Sequence, residues 1–378
     1  MKKVGFILNH YDVHQVPHVV PYAYELSQLY SEIEVVLLCS NQAEIDFAEQ
    51  IGVGYQGHKC SIVQLSAPWL IELVDPVLSK IVFARKHFVL SHNWKLLAGF
   101  DVLVVPEMTS LVLKKRKEFA DVKMVFTGHG AGDRDGGSLN ERMAQFDMAL
   151  LPGQKYADRL LELGFLANDK AVVSGYPKFE AMAKLGIGKK KLFDNDKPVV
   201  VYNPHHTKSQ SSWHHMGRAV LDYFYDSPDF NLVFAPHTML FKRSWGKGEQ
   251  LPEQYQSNDH VLIDTGSRAL SDMTYLRAAD IYLGDASSQI YEFLETPRPC
   301  VFLDAHSTDW QNDPYHVHWK LGTVVADMND FDDALKNAVD GHGAFAEKQK
   351  ESIDYTFSAS EVSAGARGAH AIAKMLGL

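Results

Sequence analysis

Histidines and small hydroxyl residues stand at four places where an apolar run gives way to polar residues. After Val122–Phe126 comes Thr127-Gly128-His129-Gly130-Ala131-Gly132-Asp133-Arg134, where glycines leave the backbone open and a histidine sits at the rim. An imidazole with a pKa of about 6.5 suits a general base. His129 is therefore a candidate catalytic group with Gly128 and Gly130 beside it, although a plain glycine-rich turn accounts for the same spacing. After Val199–Tyr202 comes Asn203-Pro204-His205-His206-Thr207-Lys208-Ser209, a donor-rich loop suited to phosphates. Adjacent histidines are common metal ligands, yet neighbours on an extended chain point in opposite directions and no third ligand is evident, so no zinc site is expected. A solvated surface loop is the competing reading of His205, His206 and Thr207. His214 and His215, on the helix pattern that follows, read as surface decoration.

The third place is Pro236-His237-Thr238, directly after Asn231–Ala235. The fourth, Gly284-Asp285-Ala286-Ser287-Ser288-Gln289-Ile290-Tyr291-Glu292-Phe293, follows Asp280–Leu283. Small hydroxyl residues at a helix start offer backbone N–H groups, hydroxyls and the positive end of the helix dipole to an anion. Ser287 and Ser288 thus form a candidate diphosphate cradle, and an ordinary N-cap fits the same residues.

Strands must place these groups, because a polar residue just after an apolar run lies at a sheet's carboxyl edge. The first half reads as strands at Lys3–Leu8, Ile33–Leu38, Asp101–Val105, Val122–Phe126, Met148–Leu151 and Ala171–Val173, with helical patterns at Val19–Tyr30 and Tyr156–Leu163. Leu185–Pro198, LGIGKKKLFDNDKP, has glycines, a lysine triplet and no apolar period, and reads as a linker and hinge. The alternation restarts with strands at Val199–Tyr202, Asn231–Ala235, Val261–Ile263, Asp280–Leu283 and Cys300–Leu303, and helices at Met273–Ala279 and Gln289–Glu295. The expected fold is α/β, with two doubly wound Rossmann-like domains facing a central cleft. Residues 1–187 form the first, on the acceptor side, and 188–355 the second, on the nucleotide side; an Ala-rich helical segment, 356–378, crosses back to the first.

With Lys+Arg at 37 against Asp+Glu at 47 in 378 residues, the formal net charge is −10 and nucleic acid is not an expected partner. The N-terminal apolar run ends at Asn9, too short for a signal segment, and no stretch approaches the roughly 18 apolar residues of a spanning helix. Cys39, Cys60 and Cys300 are odd in number and widely spaced, which argues for a reducing compartment. The cytoplasm is the expected location.

The four segments, in this order, resemble the CDP-glycerol glycerophosphotransferase family, which builds teichoic-acid and related capsule polymers on a GT-B scaffold. The strongest match is DIYLGDASSQIYEFLETPRPCVFLDA, Asp280–Ala305, against the family's "D…DxSSxxxEf…rPxxff" block. Support comes from GYPKF, Gly175–Phe179, from Pro236-His237, from VYNPHH where the family usually has "ApTwR", and from TGHG where it has "WHGTP". The resemblance implies that His129 deprotonates an acceptor hydroxyl, that His237 binds or neutralises the transferring phosphate, and that Ser287 and Ser288 hold the diphosphate. Asp285, His205, His206 and Thr207 would complete the substrate contacts, with Glu292 either accepting from a nucleotide ribose or facing solvent.

The implied reaction is attack of a glycan or lipid-linked polymer hydroxyl on the β-phosphorus of a CDP-activated polyol, with CMP leaving and no cofactor or metal. Family members that extend lipid-linked polymers sit peripherally on the inner face of the membrane. A GT-B glycosyltransferase or a UDP-N-acetylglucosamine 2-epimerase-like enzyme is the alternative, since TGHGAGDR echoes the epimerase "EAGlR" segment. The double serine, where epimerases have a double glycine, favours phosphotransfer. A non-catalytic GT-B protein that only binds nucleotide or polymer is the third reading.

Overall fold

A computed structural model describes residues 1–10, 13–78, 85–133, 139–226, 229–242 and 250–378. The chain divides into two compact units. Unit 1 comprises Met1–Gly130, Asp135–Gly186 and Asp354–Leu378; unit 2 comprises Ala131–Arg134 and Ile187–Ile353.

Unit 1 is built on strands β1 (Lys2–Leu8), β2 (Ile33–Cys39), β3 (Ser61–Gln64), β4 (Val102–Val105), β5 (Lys123–Phe126), β6 (Met148–Leu151) and β7 (Ala171–Val173). They form one sheet in the order β3-β2-β1-β4-β5-β6-β7, every pairing parallel. Consecutive residues of β1 and β4 are buried on both faces, the reason these strands read as unbroken apolar runs rather than alternating ones. Each fully buried Val, Leu, Ile or Phe contributes about 1.5–3 kcal/mol. The strand order reverses direction between β1 and β4, and the carboxyl edge there is where an open α/β sheet binds ligands.

Unit 2 carries β8 (Val199–Asn203), β9 (Asn231–Phe234), β10 (Val261–Ile263), β11 (Ile281–Gly284), β12 (Cys300–Leu303) and β13 (Thr323–Val325), again all parallel, in the order β10-β9-β8-β11-β12-β13. Its core joins Tyr202, Phe234, Leu283 and Leu303 from the sheet to Trp213, Leu221 and Phe224 from the following helical segment. The reversal here falls between β8 and β11.

Both sheets are parallel and doubly wound, as the alternation predicts. Two strands went unpredicted, β3 and β13. Both are short edge strands with partly exposed residues, so their apolar signal is weak. No helix or strand falls between Lys184 and Val199. The C-terminal helix is Ala364–Met375, and it packs on the helix Val20–Leu29 so closely that a Cβ on Gly368 would lie 2.2 Å from the Tyr22 ring. Among the described residues no helix is long and apolar enough to cross a membrane.

Candidate functional site

In unit 1 the chemistry gathers at the β1/β4 reversal and the adjoining end of β5. Gly128 holds φ +65°, a left-handed conformation that favours glycine, and turns the chain so that His129 follows. The His129 Nδ1 lies 3.2 Å from the Pro106 carbonyl oxygen. A carbonyl only accepts, so Nδ1 carries the proton and the lone pair is on Nε2. The Gln15 amide is 3.5 Å from the same Nδ1, a longer contact, and its Nε2 already donates to Glu107 at 2.6 Å. Among the described residues Nε2 of His129 has no hydrogen-bond partner. Burial holds His129 below its ordinary pKa, against the opposing pull of the Glu107 carboxylate and the Pro106 carbonyl. The ring is therefore a neutral base at neutral pH.

Glu107 anchors this cluster. It accepts from Lys86 Nζ at 2.7 and 2.9 Å and from Thr109 Oγ1 at 3.0 Å, and His10 Nε2 lies 3.4 Å away. Burial works to raise its pKa, but Lys86 beside it holds the carboxyl below the usual range. The His14 ring centroid is 5.3 Å from that of His129 and 4.5 Å from that of His10. Burial drives His14 and His18 well below the ordinary histidine value. His10, His14, Lys86 and Glu107 were not singled out in the sequence. Two of them were findable: Asn9-His10 follows β1 and Pro106-Glu107 follows β4, the same strand-end signal that marks His129.

In unit 2 the loop after β8 and the end of β9 bring His205, His206 and His237 together. The His206 centroid lies 4.3 Å from both His205 and His237, and one ring nitrogen from each of the three falls within 4.8 Å of the others. The expectation that the adjacent histidines diverge and lack a third partner is thus overturned. The chain has left the extended strand at Pro204, so strand alternation no longer applies, and His237 arrives from the next strand. A cation is still a poor fit. The Thr207 backbone N–H donates to His205 Nδ1 at 3.1 Å and the Met239 N–H to His237 Nδ1 at 3.2 Å. With Nδ1 accepting, Nε2 of each neutral ring carries the proton and has no lone pair for a metal. What the two rings offer is N–H, which suits an anion. Burial, with His206 adding to it, lowers His237 to about 4, so in the free protein it is a neutral donor at neutral pH.

Asp285, expected as a substrate contact, is instead a positioning residue. It is 0% exposed, and its carboxylate accepts from the backbone N–H of His205 (2.9 Å), Ser212 (2.6 Å) and Ala286 (2.7 Å) and from Ser212 Oγ (2.9 Å). Burial pushes its pKa up against these bonds. It ties the His205 loop to the end of β11, and losing it would orphan the buried N–H groups of Ser212 and Ala286, each costing about 1–3 kcal/mol, together with the half-buried N–H of His205.

The proposed diphosphate cradle is smaller than predicted. The helix after it, Gln289–Phe293, is a single short turn. Ser287 is buried and its Oγ accepts from Gln289 N at 3.3 Å, while Ser288 is exposed. Glu292 is buried, which removes its solvent-facing reading. His214 and His215 fall in a π turn, Trp213–Gly217; His215 is exposed, with its ring 5.1 Å from that of His306. Arg134 lies outside the described residues.

No protein-family model matches the chain, and no curated protein does. Solved structures do. The UDP-N-acetylglucosamine 2-epimerase from Neisseria meningitidis bound to UDP-GlcNAc is 13% identical with a TM-score of 0.62, over 100% of both chains. The S. aureus MnaA–UDP structure is 13% identical with a TM-score of 0.61, over 100% of this chain and 96% of that one. The wall teichoic acid polymerase TagF is 14% identical with a TM-score of 0.61, over 100% of this chain and 88% of that one. These likenesses establish the fold: two Rossmann-like units of the GT-B class.

Proposed function

We propose that the chain is a transferase that moves a polyol phosphate, glycerol or ribitol phosphate, from a CDP-activated donor to a hydroxyl of a cell-surface glycopolymer or its lipid-linked precursor. The observation that carries the reading is the opposite protonation of the strand-end histidines. His129 presents a bare Nε2, the state of a base; His205 and His237 present Nε2–H, the state of donors to phosphate oxygens. The acceptor hydroxyl oxygen attacks the β-phosphorus, the bond from that phosphorus to the bridging oxygen breaks, CMP leaves with the electron pair, and the hydroxyl proton passes to His129 Nε2. Phosphoryl transfer asks for positioning and charge stabilisation rather than a covalent role for the protein, and on this reading the histidine N–H donors supply that stabilisation without a metal or cofactor. Ser288, exposed beside the end of β11, remains a minor diphosphate contact. On this reading the enzyme works in the cytoplasm, and a lipid-linked acceptor would bring it to the inner face of the membrane.

A nucleotide-sugar reading has its own support. Glu107 lies among the histidines of unit 1, and a carboxylate beside imidazoles can move a proton to and from a sugar carbon, as an epimerase-like reaction requires. Incubation with CDP-glycerol, CDP-ribitol and UDP-N-acetylglucosamine separates the two. Release of CMP with transfer of the polyol phosphate, read by ³¹P NMR across an acceptor panel, is the expected result. Conversion of the UDP-sugar without CMP release would replace phosphotransfer with epimerisation, and binding without turnover of any donor would leave a binding protein.

A further inference from the structure

The helix Trp69–Leu78 of unit 1 carries its polarity inside out. Trp69, Leu70, Leu73 and Val74, spaced i, i+1, i+4 and i+5, share one side of it, and they are 72, 55, 71 and 45% exposed. The charged side turns toward the protein. Glu72 Oε1 accepts from the Ala67 backbone N–H at 3.0 Å and from Arg85 Nη2 at 2.9 Å, and Oε2 accepts from Arg85 Nε at 3.1 Å. Arg85 Nη2 donates in addition to the Ser40 carbonyl oxygen at 2.8 Å, and Asp75 is half-buried. A surface helix ordinarily buries its apolar stripe, and a contiguous apolar patch left in water marks an interaction surface.

The neighbouring elements say what would cover it. The helix packs against the helix Arg85–His92, which exposes Phe88 beside His87 and His92, and the turn Trp94–Leu97 that follows exposes Lys95 and Leu96. The Arg116 guanidinium carbon lies 4.2 Å from the Trp94 ring centroid, so the run Lys114-Lys115-Arg116-Lys117 lies beside that turn, with Lys115 and Lys117 exposed. Residues 85–117 hold seven Lys and Arg against two Asp and Glu, in a chain whose formal net charge is −10. Both acids are engaged, Asp101 by Lys2 at 3.0 Å and Glu107 by Lys86 at 2.7 Å. Outward Leu and Val, an exposed Trp and a basic border are together the chemistry of a face that enters the headgroup layer of an anionic bilayer. A second copy docked on the same face would bring two basic borders together, so charge disfavours a dimer here.

We propose that the outward face of the helix Trp69–Leu78, bordered by Lys95, Lys115 and Lys117, docks unit 1 on an anionic phospholipid surface. The leucines and the tryptophan enter the headgroup layer, and the lysines meet lipid phosphates. The docking is carried by unit 1 alone and holds whichever reaction the chain catalyses.

The test is flotation of the full chain with vesicles of phosphatidylcholine alone and of equimolar phosphatidylcholine and phosphatidylglycerol. Wild type should float with the mixed vesicles and far less with phosphatidylcholine, and raising the salt from about 0.1 M to about 1 M should weaken binding. Leu70→Glu with Leu73→Glu should lower the partition coefficient by about 100-fold or more. Lys115→Glu with Lys117→Glu should lower it by about 10–100-fold. All four side chains are exposed, so both variants should keep the wild-type Tm. Val339→Glu, which replaces an exposed apolar residue of unit 2, is the control and should float like wild type. Failure of wild type to float on the mixed vesicles overturns the proposal, and so does flotation that the leucine pair leaves unchanged or that Val339→Glu equally abolishes. Equal flotation on the two kinds of vesicle, or no response to the lysine pair, overturns the anionic preference. A dimer in light scattering that the leucine pair splits, with no flotation, would give the face to a second copy and overturn the lipid assignment.

Discussion

Two histidine clusters occupy equivalent places in two similar sheets, the carboxyl edge at a reversal of strand order, yet the backbone addresses them in opposite ways. In unit 1 a carbonyl, that of Pro106, meets Nδ1 of His129. In unit 2 backbone N–H groups meet Nδ1 of His205 and of His237. The same side chain is thereby fixed as a base in one sheet and as a donor in the other. The difference teaches that a strand-end histidine has no chemistry of its own until the backbone group behind it is known.

The largest expected effect comes from removing the base. His129→Asn should lower turnover by about 10²–10⁴-fold while CDP-glycerol affinity, measured by calorimetry, stays nearly intact; comparable losses of both would erase the contrast between the clusters. His237→Asn should instead weaken donor binding, by about 10–100-fold if one hydrogen bond to a charged oxygen, worth about 1.5–3 kcal/mol, is lost, and turnover should fall with it.

A pH effect follows from the same ring. His237 sits at about 4 when free, and a diphosphate seated on it favours the protonated form and raises that value. Binding of CDP-glycerol, whose diphosphate has no ionisation of its own near neutrality, should therefore take up protons, and affinity should grow as pH falls from about 7 toward about 5. Calorimetry in buffers of different ionisation enthalpy reads this directly, and proton release would have the sign wrong. Ser287→Ala with Ser288→Ala should weaken binding less than His237→Asn does, because Ser287 is buried and already accepts from Gln289 N; an equal or larger loss would move the diphosphate from the histidines to the helix start. The smallest expected effect is that of a chelator. EDTA should leave turnover unchanged, since rings held with Nε2–H give a metal no lone pair, and inactivation by EDTA would overturn the assignment in unit 2.

The fold was readable because strands buried on both faces, such as Val102–Val105 and Cys300–Leu303, are continuous apolar runs. Where an edge strand is half exposed, as at Ser61–Gln64, that signal fades. The strand-end rule marked His129, His205 and His237, and applied evenly it would also have marked His10 and Glu107. The resemblance, in turn, put Asp285 among the substrate contacts. The residues that consume its carboxylate, His205 and Ser212, are 80 and 73 positions away, and no local pattern reports them. The protonation of each histidine was beyond reach for the same reason. The carbonyl behind His129 belongs to Pro106, 23 residues earlier on another strand's end.

The central claim is therefore best tested on the rings themselves. In ¹⁵N-histidine-labelled protein at neutral pH, long-range ¹H–¹⁵N spectra with assignment by substitution should show His129 protonated at Nδ1 with a bare Nε2, and His205 and His237 protonated at Nε2. The same tautomer at all three, or the reverse pattern, would contradict the division into a base and a pair of phosphate donors.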